Sequence, residues 1–135
     1  MQSLETSEET QYNLGMVQSL IGIGHIEQKN GNHSKSRDHF NSALEMSEKM
    51  VDKEGMAASL LGIATGYSLQ GNYAQAIEGA SNALEMALER PLQTRDAAKA
   101  LHTCYKAIGQ DQKALEMHEL YIQIHDSLNS MANQE

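Results

Sequence analysis

The chain has 135 residues, 40% hydrophobic and 21% charged, with 18 acidic against 10 basic side chains and a net charge of -8. That length fits one domain, and so acidic a chain is a poor partner for nucleic acid or an anionic membrane, which need clustered Lys and Arg. No apolar run approaches the roughly 20 residues of a membrane-spanning helix, and MQSLETSEET lacks the basic-then-apolar order of a secretory signal. The single cysteine, Cys104, excludes an internal disulfide and fits a reducing compartment, so a cytoplasmic location is expected. One proline, Pro91, argues for long uninterrupted helices. Five Tyr, one Phe and no Trp leave the core to Leu, Ile, Ala and Met.

Helical periodicity and its interruptions predict helices near 10–30, 33–52, 56–70, 73–89, 95–108 and 110–130. Residues 1–9 read as a polar leader. Gly31-Asn32 interrupts the first pair of helices, Asp52 to Gly55 separates it from the second, and Gly71-Asn72 interrupts the second. Glycine takes the left-handed conformation that ends a helix, and asparagine tolerates a turn. Pro91, with Gln93 and Thr94, marks the break before the third pair. Residues 131–135 read as a tail or the start of a coupling helix.

The pairs repeat one another. At an offset of 40, Ser19-Leu20-Ile21-Gly22-Ile23 lies over Ser59-Leu60-Leu61-Gly62-Ile63, Gly31-Asn32 over Gly71-Asn72, and Ala43-Leu44-Glu45-Met46 over Ala83-Leu84-Glu85-Met86. At an offset of 38, Tyr67 meets Tyr105, Gly71 meets Gly109, Ala76 meets Ala114 and Ile77 meets Leu115. Within the second copy, Leu60, Ile63, Ala64 and Tyr67 form one helical stripe and Tyr73, Ala76, Ile77, Ala80, Ala83 and Leu84 another. Each copy is therefore a helix hairpin, with bounds of about 10–53, 55–90 and 94–130.

This pattern resembles the tetratricopeptide repeat: an apolar residue, a Leu-Gly pair and Tyr in the first helix, a turn glycine, then Ala, an aromatic and Ala in the second. The copies match as Leu20, Ile23-Gly24, Glu27, Gly31, Ser36, Phe40, Ala43; as Leu60, Ile63-Ala64, Tyr67, Gly71, Ala76, Ala80, Ala83; and as Ala98, Leu101-His102, Tyr105, Gly109, Ala114, His118, Tyr121. The first helices lack Trp, Ser36 replaces Ala, His118 replaces an aromatic, and the period is near 40, where about 34 is usual. That spacing is similar to the longer-helix subclass. The resemblance implies an all-α fold, an α-solenoid of three hairpins wound as a right-handed superhelix.

It also implies a concave groove, lined by the first helix of each hairpin, for a peptide or a partner helix. Carried over by register, the groove positions are Gln18, Ile21, His25 and Gln28; then Ala58, Leu61, Thr65 and Ser68; then Asp96, Lys99, Thr103 and Lys106. One end would be apolar, with Gly22 and Gly62 beside Ile21 and Leu61, and the other basic through Lys99 and Lys106, which suits an acidic or amphipathic helix. The Lys and Asn clamp with which some of these domains grip a terminal carboxylate is replaced by Ile21, His25, Leu61 and Thr65.

Ala114-Leu115-Glu116-Met117-His118-Glu119-Leu120-Tyr121, with Asp126-Ser127-Leu128, is similar to the last repeat of bacterial sensor regions that precede a histidine kinase or nucleotide cyclase. Met117, Tyr121, Ile124, Leu128 and Met131 recur at heptad spacing, so a homodimer or a coiled-coil continuation is expected through this helix.

No catalytic chemistry, cofactor or metal is expected. His33 and His39, like His118 and His125, miss the i, i+3 or i+4 spacing of a helical metal pair. Gly22-Ile23-Gly24 lacks the strand and third glycine of a phosphate loop and reads as helix–helix close packing. Cys104 reads as a packed thiol and the methionines as core filler. The expected function is protein–protein interaction as a scaffold or regulatory region in signal transduction; a sensory and dimerisation fragment of a larger signalling enzyme is the alternative.

Overall fold

The structure is a computed structural model describing residues 7–132. The described residues form six helices: α1 Ser7–Lys29, α2 His33–Met50, α3 Lys53–Leu69, α4 Tyr73–Met86, α5 Pro91–Ala107 and α6 Asp111–Ala132. Residues 7–9, expected in the leader, belong to α1; residues 1–6 and 133–135 lie outside the described part. Pro91 opens α5 rather than lying before it, because the first helical residue needs no N–H partner.

The three hairpin turns are built alike. Gly31, Gly71 and Gly109 have φ of 81°, 80° and 79°. In each, the glycine N–H donates three residues back and the next N–H five residues back: Asn32 to Glu27 at 2.8 Å, Asn72 to Tyr67 at 2.8 Å and Gln110 to Tyr105 at 2.9 Å. This is the Schellman closure, and glycine takes it without a Cβ penalty.

The links between hairpins differ. Val51 ends α2 at φ 54°, and the Asp52 side chain caps α3 by accepting from the Gly55 N–H at 3.1 Å. Between α4 and α5, the buried Thr94 hydroxyl reaches the carbonyls of Ala87 and Arg90.

Each helix packs on its chain neighbours, and α1, α3 and α5 also touch through their flanks, whereas α2, α4 and α6 do not touch one another. First helices drawn closer than second helices curve the stack and place the first helices on its inner face. Small residues permit the approach: Gly55, Ala57, Ser59, Gly62, Ala64 and Gly66 are all buried in α3.

The core lies in two clusters. Val17, Ile21, Phe40 and Ala43 form the first, with Leu20, Met46, Met50, Ala58 and Ile63 against it. Ala64, Ala80 and Leu101 form the second, with Ile77, Leu84, Ala100, Tyr105 and Met117 against it. Phe40 is fully buried, and its ring occupies the space that side chains would need at Gly24 on α1 and Gly62 on α3.

Candidate functional site

The inner face carries a cleft of about 550 Å³ between α3 and α5, closed at one end by His25 of α1. Ala58, Leu61, Gly62, Thr65, Ser68 and Leu69 form one wall, and Gln93, Asp96, Lys99, Ala100 and Thr103 the other, with the buried Ala64, Ala76 and Cys104 beneath. Helical spacing explains the composition. Ala58, Leu61, Thr65 and Ser68 recur on one stripe of α3, as do Asp96, Lys99 and Thr103 on α5.

Of the positions expected from the sequence, His25, Leu61, Thr65, Ser68, Lys99 and Thr103 share this cleft, together with Ala58 and Asp96. Gln18 is exposed on α1 and Lys106 on the last turn of α5, both outside the lining. Ile21 is 7% exposed and packs with Val17, Phe40 and Ala43. Gln28 is half-buried, and its Nε2 donates to the Gly62 carbonyl at 2.9 Å, tying α1 to α3.

The polar groups of the cleft are partly committed. The Thr65 hydroxyl donates to the Leu61 carbonyl at 2.9 Å and that of Thr103 to Lys99 at 3.0 Å. Each threonine therefore offers a methyl and lone pairs rather than a donor. Asp96 faces Arg95 at 3.4 Å. Among the described residues, neither Lys99 nor Lys106 is held in an ion pair, so the Lys99 ammonium is the cation the cleft can present.

His25 stands edge-on to Phe40 at 5.1 Å, and its partial burial holds its pKa below the ordinary histidine value. Cys104 is buried at the base of the cleft. Burial pushes its thiol pKa up, and a hydrogen bond with Ser68 opposes that in part.

Two features of the structure lie outside the positions that the repeat register predicts. Gln93 Nε2 donates to the Glu54 carbonyl at 2.9 Å, linking the starts of α3 and α5. His102 and His118 lie 5.1 Å apart, with His102 Nδ1 2.9 Å from the Ala114 carbonyl oxygen. Their spacing equals that of Gly24 and Phe40, which meet in the first hairpin, so the cross-hairpin contact was the signal. Among the described residues no three potential ligand side chains gather as a metal site.

On α6, Met117 packs on the second core cluster and Tyr121 stacks on His125 at 5.6 Å. Ile124, Leu128 and Met131 line a second cleft of about 300 Å³, opposite Leu88, Pro91 and Thr94. Gly22 and Gly24 have different surroundings: Gly24 meets Phe40, whereas nothing among the described residues lies within 4 Å of a Cβ at Gly22.

Paired helices, three matching glycine turns and a groove of first helices define an α-solenoid of helix hairpins. The tetratricopeptide repeat family pattern matches residues 15–89, more than half of the chain, and the chain belongs to that family. Among solved structures it is similar to the tetratricopeptide domain of Arabidopsis FLU, with a TM-score of 0.76 and 22% identity over 85% of this chain and 98% of that one. No match was found among curated proteins. This fold is typically a non-catalytic interaction module. Among the described residues no helix is long and apolar enough to cross a membrane.

Proposed function

We propose that the chain is a scaffold or regulatory module in signal transduction that takes an acidic or amphipathic helix of a protein partner in its inner cleft. The observation that carries this is the pairing of an apolar wall, Ala58 and Leu61, with the uncommitted Lys99 across a cleft of about 550 Å³. The apolar side of an amphipathic helix would lie on α3 and its carboxylates toward Lys99, with Lys106 beyond the rim. Specificity would come from the small-walled α3 side and from Asp96, which disfavours a second carboxylate near it. Cys104, a reduced thiol, suits a cytoplasmic setting.

Lys99→Glu with Lys106→Glu, compared with the unaltered chain in partner pull-downs, tests the assignment. Loss of a recovered partner supports it, and identical recovery removes the groove from consideration.

A second reading rests on α6, where Met131 is 67% exposed beside the half-buried Ile124 and Leu128. In that reading Met117, Tyr121, Ile124, Leu128 and Met131 form a seam for self-association or helix coupling in a signalling enzyme. An output domain encoded after Glu135 would favour it over the first reading.

A further inference from the structure

The first helix carries on its outer face the register with which α3 receives α2. Gly55, Ser59, Gly62 and Ile63 of α3 recur forty residues earlier as Gly15, Ser19, Gly22 and Ile23 of α1. On α3 the hollows are filled. A Cβ at Gly55 would lie 2.5 Å from the Ser47 hydroxyl, and one at Gly62 would lie 2.5 Å from Phe40 Cζ. On α1 nothing among the described residues lies within 4 Å of a Cβ at Gly15 or Gly22. Glycine inside a helix costs about 1 kcal/mol relative to alanine, and no contact among the described residues explains that cost at either position. The surrounding surface is apolar: Tyr12, Met16, Ile23 and Ile26 are 68%, 36%, 41% and 61% exposed.

The other end of the stack carries the complementary face. The two repeat offsets place His118 at the position of Phe40 and His125 at that of Ser47. Both lie on α6, which among the described helices packs only on α5. Knob and hollow vary together along the chain: bulky Phe40 faces Gly62, while at the equivalent positions Ala80 and Ala100 are both small. Large side chains at His118 and His125 match the empty hollows at Gly22 and Gly15. Ile122 is 40% exposed, whereas its equivalents Leu44 and Leu84 are half-buried, Leu84 against a cluster that includes Leu101 of the following hairpin.

We infer that copies of this chain associate head to tail, α6 of one packing across α1 of the next as α2 packs across α3, with His118 over Gly22 and His125 over Gly15. The occupant is a second copy because the contact continues an interface that the chain already forms internally. Such a contact is heterologous, so each addition leaves both faces available again. It differs from a symmetric α6 pair, and it does not use the inner cleft.

Two variants test it. Gly22→Glu blocks the α1 face at a site open to solvent, and His118→Glu blocks the α6 face at an exposed position; circular dichroism confirms that each remains helical. In sedimentation velocity the unaltered chain is expected to gain mass with concentration beyond two copies. Each variant alone should stay monomeric, and the two mixed should form a 1:1 dimer that grows no further. An unaltered chain that stays monomeric at its highest attainable concentration, self-association retained by Gly22→Glu, or no dimer on mixing would each overturn the inference.

Discussion

The ring of Phe40 lies over the backbone of Gly62, close enough that a β-carbon there would sit 2.5 Å from Cζ. This contact joins the second helix of one hairpin to the first helix of the next, and it uses the chain's single phenylalanine. Gly62→Ala should cost about 1–3 kcal/mol through overpacking, less the gain of roughly 1 kcal/mol that alanine brings to a helix. Phe40→Ala should cost about 3–5 kcal/mol. In the Phe40→Ala background, Gly62→Ala should become neutral or stabilising, because the obstructing ring is gone. Urea denaturation of the four proteins measures the coupling; simple additivity would refute the steric account.

Val51 ends α2 with φ 54° and is 72% exposed. A β-branched residue is strained in that region, and its exposure leaves little packing to lose. Val51→Gly is therefore expected to raise stability by about 0.5–1 kcal/mol. A denaturation midpoint that falls would show that Val51 makes contacts outweighing its strain.

His25 has a folded pKa held down by burial. A histidine of this kind binds its proton more readily in the unfolded chain, so its contribution is complete above the unfolded pKa. It is lost as pH falls through the interval down to the folded value. His25→Gln should lose less stability than the unaltered chain when acidified across that interval. Equal losses, read from denaturation midpoints on both sides of the histidine range, would contradict the assignment.

Cys104 has its thiol pKa raised by burial and partly restored by Ser68. Ser68→Ala should push it further up, since a thiolate then loses a donor. Ultraviolet titration of the thiolate measures this, and an unchanged or lower pKa would exclude Ser68 as that donor. A peptide seated in the cleft should also slow modification of Cys104, which lies at its base.

Much of the fold was legible because its strongest signals are local and recur. The turn glycines at 31, 71 and 109 each carry the positive φ that their type suggests. Pro91 was harder to place, since its break in the pattern is also the best first residue of a helix. The cleft was legible by register where the neighbours are small. Leu61 stays on the wall because Ala80 cannot cover it, whereas Ile21 is drawn into the cluster around Phe40. The same offset gave both residues one expected role, and the size of a side chain elsewhere separated them. The pairing of His102 with His118 crosses a turn, so spacing within one helix could not reveal it.

The sizes set against one another between hairpins also give each hairpin an address. A chain rearranged so that the third hairpin followed the first would bring Phe40 onto Ala100, whose methyl group stands where Gly62 leaves room. Equal turns make the three units look exchangeable, but their facing surfaces make the order directional. Duplication of a single hairpin would therefore lengthen this solenoid only where the new neighbour presented a hollow of the right depth.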